Sequence, residues 1–161
     1  MKNNYSKSRG VYTVEFAIVG SLFFLLFFAA IEVARLLFTW NVLTEVSRRG
    51  ARLATVCNIL TAPGVDSQSI GQPSGVANLA TFGDVNMLPN LSVSNVTVQY
   101  LTFDGSTAVD FRGVRLVRFE ISNYQHSLFI PGLFITLNSP TFSTTLPRES
   151  LGVSPYAYTS C

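Results

Sequence analysis

VYTVEFAIVGSLFFLLFFAAIEVARLLFTWNVLTEVSRRGARLATV, residues 11–56, decides how this chain folds. Its centre, Phe16 to Ile31, is sixteen consecutive residues without a charge. Counting from Val11 and tolerating Glu15 gives about twenty residues, which at ~1.5 Å each cross a hydrocarbon layer of ~30 Å. Past Ile31 the apolar residues continue at helical spacing through Val33, Leu36, Leu37, Trp40, Leu43, Val46, Ala51 and Leu53, with no proline until Pro63. The pattern predicts one helix from Val11 to about Val56, its first half in lipid and its second half amphipathic. Gly50 weakens it only locally.

The rest of the composition follows from that segment. The 161 residues are 48% hydrophobic and 12% charged, whereas a soluble domain carries about 25% charged residues, and the length suits one ordinary domain. The formal charge of +2 is not a nucleic-acid signature. Lys2, Lys7 and Arg9 hold three of the 11 basic residues, so the remainder sets eight against nine acidic ones. Those three basic residues directly precede the apolar run, and the positive-inside rule places them in the cytoplasm and everything past about residue 32 outside. A cleaved secretory signal fits less well, because the run is long, Glu15 sits inside it and no clean small-x-small site follows Ala30.

Outside the long helix, residues 58–92 carry only Asp66 and Asp84 as charges among scattered Pro and Gly, and read as loop with a short helix over 74–82. Alternation at Val96, Val98, Tyr100 and again at Val117, Phe119, Ile121 predicts two antiparallel strands, with Phe103-Asp104-Gly105 opening their connection. Leu133–Leu137 and Thr141–Leu146 are weaker strand candidates around an Asn138-Ser139-Pro140 turn. The expected class is therefore α+β, a small antiparallel sheet covering the amphipathic half of the helix. His126–Leu137, HSLFIPGLFITL, reads either as core lining or as an exposed patch meeting another subunit or the membrane surface.

Catalytic chemistry finds no support. One histidine, His126, has no accompanying nucleophile motif, and two cysteines with one histidine do not make a conventional zinc site. Phosphate-binding glycine motifs are absent, and Asp104 and Asp110 read as turn residues. The expectation is no enzyme, no metal and no cofactor.

Arg9-Gly10-Val11-Tyr12-Thr13-Val14-Glu15-Phe16, a basic leader ending in glycine with a glutamate five residues on, resembles the leader of type IV pilins and pseudopilins. With Ile31-Glu32-Val33-Ala34-Arg35-Leu36 and Arg48-Arg49-Gly50-Ala51-Arg52, the pattern is similar to the TadE/TadF-like minor pilins of tight-adherence (Flp) pilus systems, over residues 9–57 and more loosely 114–149. Phe16 departs from the Glu-Tyr pair of the major Flp pilins and fits the minor class. The resemblance implies a leader at 1–10, cut between Gly10 and Val11 by prepilin peptidase. It further implies a helix over 11–57, an extracytoplasmic loop-and-sheet domain over 58–161, and residence in the bacterial inner membrane or the extracellular pilus. Implied partners are other minor pilins, the major Flp pilin and the inner-membrane assembly platform, in pilus biogenesis, priming, tip assembly or adhesion. Glu15 would pair with the new α-amino group of a neighbouring subunit; the alternative is a carboxylate snorkelling into headgroups. An uncleaved single-pass scaffold or binding protein is the competing function.

Glu32 and Arg35 stand where the helix should leave the lipid, as a surface ion pair or an interface. Arg48 and Arg52 read as a solvated helix end complementing the dipole or as a subunit contact, and Glu45 with Arg49 as an i,i+4 pair. Cys57 and Cys161 both fall outside by the orientation argued above, where the compartment permits a disulfide; the apolar stretch Leu151, Val153, Tyr156, Tyr158 would then lie along the sheet. Two unrelated free thiols are the other reading.

Overall fold

The computed structural model describes residues 9–59, 74–82, 85, 87–129, 135–153, 155, 158–159 and 161. A single helix, α1 (Arg9–Val56), runs for 48 residues, about 70 Å at 1.5 Å per residue. Its first half is left uncovered: from Val11 to Leu26 every large apolar side chain is more than half exposed. The side chains instead pack along the helix, with the rings of Phe23 and Phe27 stacked at 6.3 Å and those of Phe24 and Phe28 at 6.4 Å. Ser21 turns its hydroxyl back onto the Ile18 carbonyl at 2.9 Å, which satisfies that donor within the helix.

From Glu32 onward one stripe goes inward at three- and four-residue steps: Thr39, Leu43, Val46, Gly50, Ala54 and Cys57 are buried. Against this stripe lies a three-stranded antiparallel sheet of β1 (Val96–Leu101), β2 (Leu116–Ile121) and β5 (Phe142–Pro147), with β2 in the middle. The expected register of alternation holds, since Val98, Tyr100, Val117, Phe119 and Ile121 are buried while the residues between them are partly open; the exception is Leu101, buried at the end of β1. Trp40 meets Phe142 edge-on at 5.3 Å and Ser47 Oγ meets Thr144 Oγ1 at 3.0 Å, so β5 climbs α1 in the direction of the helix. A short helix, α2 (Ser74–Ala80), covers another side of α1 with Val76 and Ala80.

Gly50 has a packing role that its helix-weakening reading missed. A Cβ there would lie 2.3–2.5 Å from three atoms of the fully buried Phe119 ring, so glycine lets the central strand approach the helix backbone directly.

The third and fourth strands do not follow expectation. β3 (Gln125–Ser127) was not anticipated and pairs with β4 (Thr136–Asn138), His126 opposite Leu137, as a separate two-stranded sheet. Asn138-Ser139-Pro140 therefore carries the chain from one sheet to another; β5 pairs with β2. The expected strand residues Leu133 and Phe134 lie outside the described residues. In the described part of the 126–137 stretch, His126 is buried, whereas Phe129, Ile135 and Leu137 are exposed.

Candidate functional site

Three places on α1 carry the residues singled out from sequence. At the N-terminal end, Gly10, Val11 and Glu15 lie on the uncovered part of the helix. A Cβ on Gly10 would meet nothing within 4 Å, so packing within this chain does not demand glycine there. Glu15 is exposed among apolar side chains and makes no ion pair among the described residues.

The second place is where α1 meets the lower edge of the outer domain. Arg35 Nη1 donates to Glu32 Oε1 at 2.5 Å, but this is no surface pair: the Glu32 side chain is 7% exposed and that of Arg35 37%. Arg35 also lies over the Phe129 ring, 4.8 Å from its centroid. One helix turn up, Thr39 Oγ1 and His126 Nδ1 are 3.4 Å apart in buried surroundings. Among the described residues, Glu32 Oε2, Tyr124 Oη and His126 Nε2 are buried without a hydrogen-bond partner. Burial pushes the Tyr124 phenol above its ordinary range, while the nearby Arg35 charge pulls the other way. A cavity of about 210 Å³ opens beside this cluster between α1 and the β3–β4 sheet, lined by Leu36, Thr39, Leu43, Tyr124, His126 and Leu137 among others. Glu32 and Arg35 were picked from sequence. His126 stands out in the sequence only as the one histidine and the start of the 126–137 stretch, and Thr39 and Tyr124 do not stand out, although Thr39 follows Glu32 by seven residues on one helix face and Tyr124 lies two residues before His126.

The cluster offers one carboxylate, one phenol, one imidazole and the Thr39 hydroxyl beside that imidazole. No group of three or more His, Cys, Asp or Glu placed to hold a metal exists among the described residues. Asp104 and Asp110 form no pair. Asp104 accepts from Thr102 and Ser106 in the turn after β1, bonds that hold its carboxyl below the usual range, and Asp110 accepts from the Gly113 N–H at 2.6 Å.

The third place is the upper helix. Arg48 and Arg52 are exposed, one turn apart, on the side away from the sheet. Arg49 makes no ion pair with Glu45 among the described residues; it lies over the Phe82 ring, 4.8 Å from its centroid, a contact from distant sequence. The last turn holds no basic residue, which corrects the dipole reading. The final carbonyls are met by backbone instead. Leu151 N–H donates to the Thr55 carbonyl at 2.9 Å, and just past the helix Asn58 N–H donates to the Thr159 carbonyl at 2.8 Å. The described residues of the C-terminal stretch thus meet the helix end rather than lying along the sheet, with Leu151 fully buried, and Tyr156 lies outside the described residues. Gly152, at φ +76°, passes so close to Asn58 that a Cβ would sit 2.2 Å from its Cα. Cys57 and Cys161 are joined by a disulfide, Cα to Cα 5.7 Å across 104 positions, so the paired-thiol reading holds.

A bare apolar helix that becomes a packing stripe at Glu32, bears Glu15 inside its apolar run and exposes Arg48 and Arg52 is a specific combination. Residues 10–52 match the TadE-like protein family. The match takes in Gly10, Val11, Glu15, Glu32, Arg35, Arg48 and Arg52, and does not extend to the sheet residues or to either cysteine of the disulfide. Searches among curated proteins and among solved structures return no match. The TadE-like segment is thus the uncovered apolar run together with most of the packing stripe, and the sheet packs against that stripe.

Proposed function

We propose that this chain is a minor pilin or pseudopilin of a Flp, tight-adherence pilus. In this reading it is inserted in the bacterial inner membrane with its N-terminus cytoplasmic and its outer domain periplasmic. The observation that carries the reading is the TadE-like segment itself, an uncovered apolar helix of membrane-spanning length with Gly10, Val11 and Glu15 at its start. Prepilin peptidase would cut between Gly10 and Val11. Because nothing in the fold requires glycine at position 10, the requirement there belongs to the peptidase. Glu15, about 6 Å into the bilayer from Val11, would then take the new amine of a neighbouring subunit as its counter-charge and set the register of assembly with the major Flp pilin and other minor pilins on the inner-membrane platform. The chemistry of the outer domain supports a structural or adhesive role, not catalysis.

One observation favours the alternative of an uncleaved membrane-anchored scaffold: α1 already includes Arg9 and Gly10, so the scissile bond lies in helix and must open to be cut. Mass spectrometry of the N-terminus decides between them. After expression with the cognate peptidase the chain should begin at Val11, and Gly10→Leu should leave the leader in place. Intact Met1–Gly10 on wild-type protein from cells with active peptidase would end the pilin reading.

A further inference from the structure

The apolar surface of α1 does not stop where about twenty residues of span end. Val33, Leu37 and Phe38 remain more than half exposed and Trp40 close to half, and beside them the β3–β4 sheet and its flanks expose Phe129 (64%), Ile135 and Leu137. The two surfaces are continuous. His126 lies against Thr39 and Phe129 against Arg35, so over three residues the chain descends one helix turn, roughly 6 Å, toward the membrane.

Height decides what covers this face. With Val11 at the inner edge of the hydrocarbon, Arg35 stands about 36 Å up the helix, and Phe129 with it. The hydrocarbon ends near 30 Å and the headgroup layer adds some 5–7 Å beyond it. An exposed phenylalanine under an arginine, with a tryptophan one to two turns above, is the composition of a membrane interface. The sequence from Leu128 to Asn138 carries no charge. Exposure alone would not argue this, since Phe103 and Val109 are 88% and 92% exposed. Those two, however, follow the Leu101 end of the sheet, where Leu101 pairs with Leu116 and Leu116 with Pro147, the end opposite Phe142 and Trp40.

We infer that the β3–β4 sheet is a second membrane contact, seating Phe129, Ile135 and Leu137 in the headgroup layer of the outer-facing leaflet beside α1. The inference rests on α1 being the membrane anchor. It makes the outer domain lie on the bilayer at a fixed tilt instead of swinging freely above it.

Trp40 is the only tryptophan, so Trp40→Phe clears the background for single reporters. The full chain carrying Phe129→Trp, Ile135→Trp, Phe103→Trp or Phe23→Trp is reconstituted in phosphatidylethanolamine–phosphatidylglycerol vesicles doped with phosphatidylcholine brominated near the headgroup or deep in the chains. Protection of both cysteines from alkylation checks the fold of each variant. The reporters at 129 and 135 are expected to be quenched several-fold more by the shallow-brominated lipid than the one at 103, and to resist aqueous iodide. Iodide quenching at 129 and 135 equal to that at 103, with the reporter at 23 still quenched by deep bromines, overturns the inference and leaves the anchor standing. Shielding from both quenchers overturns it too, because protein then covers the face. Loss of deep quenching at 23 removes the anchor itself and the inference with it.

Discussion

Gly50→Ala sets helix propensity against packing, and the structure says packing wins. In an exposed helix interior the exchange would stabilise by up to ~1 kcal/mol. Here the added methyl falls 2.3–2.5 Å from Cε2, Cζ and Cδ2 of Phe119, a residue with no exposed surface on the central strand. Neither ring nor strand can retreat without disturbing Val98, Tyr100 and Leu43 around them. Overfilling a packed core costs about 1–3 kcal/mol, and three close ring atoms point to the upper part of that range. The net expectation is a loss of roughly 1–2 kcal/mol, or a midpoint lowered by about 4–16 °C for an outer domain of this size. Trp40, in edge contact with Phe142, gives a fluorescence signal that reports the domain and not the lipid-embedded helix. The decisive comparison is the double variant. In a Phe119→Leu background the methyl has room, so Gly50→Ala should turn neutral or stabilising. A raised midpoint for Gly50→Ala alone, or an unchanged effect in the Phe119→Leu background, would refute the reasoning.

Further outcomes are open to measurement. Cys161→Ser opens a loop spanning 104 positions and should cost up to ~4.7 kcal/mol on the chain-entropy estimate, read as a large drop in the non-reducing melting midpoint with little change once wild type is reduced. Tyr100 is buried with its hydroxyl unpartnered among the described residues, and burial raises its pKa. The neutral phenol therefore stabilises the fold below the unfolded value near 10, and that contribution is lost as pH rises above it. Tyr100→Phe should flatten the alkaline limb of a stability–pH curve and leave neutral-pH stability equal or higher. Glu15→Leu should insert normally, since it makes the span more apolar, and reduce recovery with pilus components; undiminished piliation would remove the role proposed for Glu15.

The features legible in the sequence are those set by short-range periodicity. Sixteen uncharged residues and the i, i+3, i+4 spacing after them define α1, and the alternation in VTVQY and VRFEI defines β1 and β2. What escaped depends on contacts between distant residues. β3 is three residues long, too short for alternation to register, and its partner β4 is set by the tertiary fold. Glu32 and Arg35 at i, i+3 look like any solvent-facing pair; only the tertiary fold buries Glu32 and lays Arg35 over the distant Phe129 ring. Arg49 turns from Glu45 to Phe82 for the same reason. Gly50 reads as a flaw in a helix until Phe119 is seen against it.

The bond between Cys57 and Cys161 also governs how the molecule bears load. It closes everything from residue 57 to residue 161 into a covalent ring hanging from the end of α1. A pull between Val11 and Cys161 travels through the helix and across the sulfur bridge, bypassing the sheet. Even with α1 drawn out completely, those two points separate by only about 160 Å at ~3.4 Å per residue, against roughly 500 Å for the unbridged chain. The strands carry no tension along that path, so a subunit dragged by its helix delivers force to the outer domain at the foot of the ring, and the sheet is moved as a body instead of being unravelled from its end.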